Sequence, residues 1–191
     1  MTTAILGWGS LLWDSRPEFD SQHGEWRPDG PTLPIEFCRV SSTRGGALTL
    51  VIEHQFGAQC TCAFSISARK NPDDTISDLR CREGTTLANI GYYFADGTRQ
   101  YAQSEATLTA VQAWAHAKNI DVVIWTDLRS NFSTKSSVRK PFSVANAIAH
   151  LQLLPSEAKA NAAEYIWRSP MLVDTPLRRA VQTEPWFQVA S

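Results

Sequence analysis

The spacing of apolar positions divides the chain into a strand-rich first half and a second half richer in helix. Strands are expected at residues 3–6, 34–41, 47–53 and 60–66. The last two alternate through Leu48, Leu50 and Ile52 and through Cys60, Cys62, Phe64 and Ile66, the period of a pleated strand with one buried face. Residues 91–94 and 99–102 flank an Asp96-Gly97 pair and read as a hairpin. Residues 121–126 form a continuous apolar run suited to a central strand. Helices are expected at 71–83, 105–118, 143–153 and 155–167, with a short one opened by Thr175 and Pro176. In the helix at 105–118, Leu108, Val111 and either Trp114 or Ala115 face inward.

Residues 71–83 carry end signals on both sides. Asn71 is a good N-cap, Pro72 suits the first helical position, Asp73 and Asp74 complement the positive helix end, and Gly84 is a natural residue just past the last turn. Ile76 and Leu79 mark the inward face. Glu83, seven positions after Ile76, falls on the same stripe at 100° per residue. A carboxylate there meets the negative helix end and a desolvating interior, and both raise its pKa into the range useful for proton transfer. The alternative is a helix-end glutamate neutralised by Arg80 or Arg82.

The opening segment holds the second chemical signal. A short apolar strand breaks at Gly7-Trp8-Gly9-Ser10-Leu11, where two glycines allow a tight turn whose consecutive amides can form a concave anion site. The pattern lacks the third glycine of a dinucleotide loop and the lysine of a phosphate-binding loop. Ser10 lacks the second glycine of a nucleophile elbow, so its hydroxyl is read as a substrate contact.

Gly7-Trp8-Gly9-Ser10-Leu11, then Phe37-Cys38-Arg39-Val40-Ser41 with Arg44-Gly45, and then Arg82-Glu83 resemble, in that order, the gamma-glutamylcyclotransferase superfamily, especially its ChaC-type branch. Trp8 stands where the family usually has Tyr. The resemblance implies that the loop Gly7, Trp8, Gly9, Ser10, Leu11, together with Arg44, binds a γ-glutamyl head, and that Glu83 is the general acid/base. It implies a lyase or transferase of glutathione-type metabolism that releases 5-oxoproline and a free amine from a small-molecule γ-glutamyl substrate; a cytoplasmic location is the default expected of a chain without a signal-peptide pattern. No cofactor or metal is needed, because the substrate's α-amine is itself the nucleophile. Two alternatives remain: a non-catalytic small-molecule binding protein on the same scaffold, and an amidase-type enzyme with a different substrate.

Composition adds exclusions. The formal net charge is −1, so no nucleic-acid or anionic-membrane partner is expected. No apolar run has membrane-spanning length, and Met1-Thr2-Thr3 lacks the start of a secretion signal. Cys60 and Cys62 are too close for a zinc knuckle and read as core fillers. Cys81 reads as a surface or core thiol, and the histidines, His150 included, as solvated or singly hydrogen-bonded. The Ser-rich basic stretch 129–140 reads as a mobile or lid-like surface loop.

Together these readings predict an α+β fold: a small mixed, mostly antiparallel β-barrel or strongly curved sheet flanked by helices, with a C-terminal helical appendage. Residues 1–128 would form the catalytic domain, and residues 129–191 the basic loop and the appendage packed on it.

Overall fold

The computed structural model describes residues 1–187. In chain order its elements are β1 (Thr3–Gly7), α1 (Pro17–Asp20), β2 (Thr32–Val40), β3 (Leu48–Ile52), β4 (Ala58–Thr61), β5 (Ala63–Ile66) and α2 (Pro72–Arg82). There follow β6 (Ile90–Phe94), β7 (Gln100–Tyr101), α3 (Glu105–Lys118), β8 (Val122–Thr126), α4 (Phe132–Lys135), α5 (Val144–Gln152), α6 (Ser156–Arg168) and α7 (Pro176–Val181). Short 3-10 turns occupy Ser10–Leu12 and Leu87–Asn89. Contacts group the chain into two compact units, one of Met1–Leu33 with Thr61–Leu128, the other of Pro34–Cys60 with the chain from Arg129 onward.

The first unit is built on a five-stranded sheet ordered β5-β1-β8-β6-β7. β1 runs parallel to β8 and antiparallel to β5, and β6 is antiparallel to both β8 and β7. The sheet is mixed, as its sequence predicts, but it is open, and the expected barrel does not form. Closure would require β5 to pair with β7, yet β7 is only two residues long, and both are exposed. So short a strand carries too few ladder groups to seal a barrel. α2 covers the sheet by packing Ile76 and Leu79 against Ile5, Ile90, Val122 and Ile124, with Leu11 at the cluster's edge. In α3 the inward position falls to Ala115, fully buried, while Trp114 is half-buried and its indole Nε1 donates to the Asp29 carbonyl at 3.0 Å.

The expected single strand at 60–66 is two strands. β5 belongs to the sheet of the first unit, whereas β4 pairs in a three-stranded sheet ordered β3-β2-β4. Cys62 marks the break: its N–H donates to the Pro31 carbonyl, and its own carbonyl accepts from Gly30. Both Cys60 and Cys62 are buried.

In the second unit β2 pairs with β3 through a bulge between Phe37 and Arg39. The basic stretch is not a free loop. Asn131 sets its amide against the backbone of Val40, accepting from Val40 N–H at 2.7 Å and donating to Val40 carbonyl at 3.1 Å, as a neighbouring strand would. Ser130 Oγ donates to the Cys38 carbonyl at 2.6 Å, and Phe132 is buried. These bonds satisfy backbone groups that a mobile segment would leave to water.

Two buried ionisable side chains organise the helices of this unit. Glu36 is fully buried on β2, accepting from Phe37 N–H at 2.7 Å and from Leu177 N–H in the first turn of α7 at 3.3 Å. Burial raises its pKa, against the opposing effect of the Thr175 side chain and those amides. Arg178 is buried and donates to the carbonyls of Ser169, Pro170 and Val173, terminating the chain path between α6 and α7.

His150 departs from its sequence reading. It is buried, with Nδ1 3.0 Å from Ser137 N and Nε2 2.9 Å from the Gly46 carbonyl oxygen. A backbone N–H can only donate, so Nδ1 is the acceptor and the proton sits on Nε2. Among the described residues no helix is long and apolar enough to cross a membrane, and no group of three or more His, Cys, Asp or Glu side chains is arranged to hold a metal ion.

Candidate active site

Both chemical signals of the sequence lie in the first unit, and Arg82 joins them. β1 ends at Gly7, and the chain turns through Trp8 and Gly9 into the 3-10 turn at Ser10–Leu12. That turn closes with Leu12 N–H on the Gly9 carbonyl at 3.0 Å and Asp14 N–H on the Ser10 carbonyl at 2.8 Å. The leading amides of a helical turn have no partner inside it, and Gly9 at the N-cap position has no side chain to cap them. Trp8 is buried, 6% exposed.

The glycines serve a different purpose from the one read in the sequence. Neither Gly7 nor Gly9 has a positive φ, and Gly9 has φ −147°. The limit at Gly7 is space: a Cβ there would lie 2.8 Å from Leu12 Cδ1 and 2.9 Å from Trp26 Cζ3. Positive φ occurs instead at Gly84, where φ is +58°. Gly84 N–H donates to the Cys81 carbonyl and Thr85 N–H to the Arg80 carbonyl, the paired closure of a Schellman motif. Glu83 is therefore fixed as the C-cap of α2, at the opposite end from Asn71, whose side chain accepts from Asp73 N–H.

Arg82 extends from this last turn with a side chain only 6% exposed. Its Nη2 donates to the Ser10 carbonyl at 3.2 Å and the Asp14 carbonyl at 2.8 Å, and lies 3.7 Å from the Asp14 carboxylate. Its Nη1 lies 3.9 Å from Glu83 Oε1. One guanidinium thus contacts the 3-10 turn with one nitrogen and the Glu83 carboxylate with another. The buried Nε has no hydrogen-bond partner among the described residues. The Glu83 side chain is 20% exposed, so the carboxylate is held by a cation while part of it still faces solvent.

Arg44, also expected to bind substrate, belongs to the second unit, where its guanidinium lies 5.0 Å from the Tyr165 ring centroid. The structure brings together Glu83 and the loop at 7–11. Asp14 and the bridging role of Arg82 were not legible in the sequence, because an arginine beside a helix-end glutamate reads first as its ion-pair partner. Cys81 is exposed on α2. No protein-family model, curated protein or solved structure matches the chain.

Proposed function

We propose that the first unit carries a gamma-glutamylcyclotransferase-type active site, acting on a γ-glutamyl amide to give 5-oxoproline and a free amine. The observation supporting this reading is the convergence of the Ser10 turn and Glu83 on the Arg82 guanidinium. An anion anchor and a proton carrier must flank one small substrate, and these are the two groups of the unit suited to those tasks.

In the proposed reaction the amides that lead the 3-10 turn hold the carboxylate of the γ-glutamyl head. Glu83 takes a proton from the α-ammonium. The freed amine attacks the γ-carbonyl carbon, forming the lactam C–N bond and a tetrahedral oxyanion. As the oxyanion collapses, the C–N bond to the leaving amine breaks and Glu83 returns the proton to that nitrogen; the second proton, shed by the new ring nitrogen, passes through Glu83 or solvent to the departing amine, which leaves as an ammonium. Arg82 keeps the glutamate next to the turn without occupying the turn's leading amides, since its own bonds go to carbonyl oxygens.

The test is 5-oxoproline release from glutathione and a set of γ-glutamyl amino acids. Release from at least one of them that depends on Glu83 is expected. Absence of 5-oxoproline from all of them would overturn the proposal.

A further inference from the structure

A groove of about 1010 Å3 opens on the first unit along the face of α2, at the upper end of the size range of small-molecule sites. The loop at 7–11 does not line it. Its walls come from α2 (Ile76, Ser77, Arg80), from the segment that leaves the helix (Thr85 to Ala88) and from β6 and β7 with the turn between them (Tyr92, Arg99, Tyr101). The Tyr92 and Tyr101 rings stand 6.0 Å apart, tilted by 35°, and Ile76 adds an aliphatic side. Tyr101 is held by its hydroxyl, which donates to the Ala88 carbonyl at 3.0 Å. Leu87 is 60% exposed at the same groove, more than its apolar side chain favours in water.

The charges are unevenly committed. Arg99 pairs with Asp73 at 2.5 Å and stacks on Phe94 at 4.3 Å, so its charge is neutralised in place. Arg80 has no carboxylate partner among the described residues, and its Nη2 approaches only Cys81 Sγ at 3.3 Å. The groove therefore offers one uncommitted cation, aromatic ring faces and the hydroxyls of Ser77, Thr85 and Thr86. A complementary ligand has one carboxylate and a flat apolar group.

Position links the groove to Glu83. Ile76, Arg80 and Glu83 occur at i, i+4 and i+7 and share one face of α2, and Thr85 in the groove wall is two residues beyond Glu83. We propose that this groove receives the leaving-amine half of the γ-glutamyl substrate, and that this half is an amino acid with an aromatic side chain. Its carboxylate pairs with Arg80 and its ring lies against Tyr92 and Tyr101. This inference rests on the cyclotransferase reading and adds a substrate class to it.

The experiment compares kcat/KM for γ-glutamylphenylalanine, γ-glutamyltyrosine, γ-glutamylalanine and γ-glutamyllysine, by 5-oxoproline release, in the parent and in Arg80→Gln and Tyr101→Leu. Circular dichroism and thermal melting establish that the variants are folded. The parent is expected to prefer the aromatic substrates by about tenfold or more over γ-glutamylalanine, the scale of burying one ring. Arg80→Gln should lower kcat/KM for all four substrates, which share the carboxylate, whereas Tyr101→Leu should remove only the aromatic preference. Turnover without aromatic preference, or a preference that survives both substitutions, overturns the groove assignment and leaves the cyclotransferase reading standing. No 5-oxoproline from any substrate overturns both.

Discussion

Arg82 Nη2 lies 3.2 Å from the carbonyl oxygen of Ser10, and the two residues are 72 positions apart in the chain. The bond ties the end of α2 to the turn after β1. Because the side chain is almost fully buried, the arginine's loss would take the guanidinium donor from the Asp14 carbonyl, leave the Ser10 carbonyl to backbone donors such as Asp14 N–H, and leave Arg16 as the cation beside the Asp14 carboxylate.

Arg82→Leu is accordingly expected to destabilise the protein by roughly 3 kcal/mol, the range for breaking a buried charge-assisted network. Arg82→Lys should recover only part of this, since one ammonium cannot reproduce a planar fork that reaches the turn and Glu83 at once. Urea denaturation of the three proteins at one pH measures the difference. Equal midpoints would show that the bridge contributes nothing.

Glu83→Gln preserves shape but cannot accept a proton. Turnover of any γ-glutamyl substrate should fall by about 10²-fold or more, while affinity for that substrate changes little. Single-turnover 5-oxoproline release beside equilibrium binding separates the two effects. A variant as active as the parent would remove Glu83 from the chemistry.

Two glycines should respond differently to the same added methyl group. Gly91 lies on β6 opposite Trp125 of β8, and a Cβ there would come within 2.1 Å of the buried indole. Gly91→Ala is expected to cost about 3 kcal/mol through overpacking. Gly84 has open space around it but φ +58°, so Gly84→Ala should cost only about 1 kcal/mol, from the left-handed backbone alone. Thermal melting of both variants checks the order.

His150 supplies the pH dependence. Burial holds its pKa below the ordinary 6.5, against the raising effect of its bond to the Gly46 carbonyl. The unfolded state therefore binds the proton more readily. Stability from the neutral ring is present above pH 6.5 and is lost as the pH falls from there through the folded-state pKa. Protonation of Nδ1 would also set two donors against each other at Ser137 N–H. Chemical denaturation between pH 7.5 and 5 should show the parent losing stability relative to His150→Gln. Parallel curves would contradict this.

The strand at β1, the caps of α2, the span of α3 and the Thr175-Pro176 start of α7 were all legible in the sequence. Each depends on local chemistry: apolar spacing, an Asn or Thr that accepts from a nearby amide, a proline at the first helical position and a glycine at positive φ after the last turn. The partnering of strands depends on surfaces far apart in the chain. A two-residue β7 leaves the five-stranded sheet open, and the break at Cys62 sends β4 and β5 into different sheets, though the 60–66 alternation runs on unbroken. The same division holds at the candidate site. The types of residue at 7–11 and at 83 announce an anchor and a proton carrier, since those depend on chemistry each residue carries by itself. Arg82 as the bridge, His150 as a buried acceptor and Gly7 as a steric necessity were decided by tertiary structure, because each is defined by atoms that only folding brings within a few ångströms.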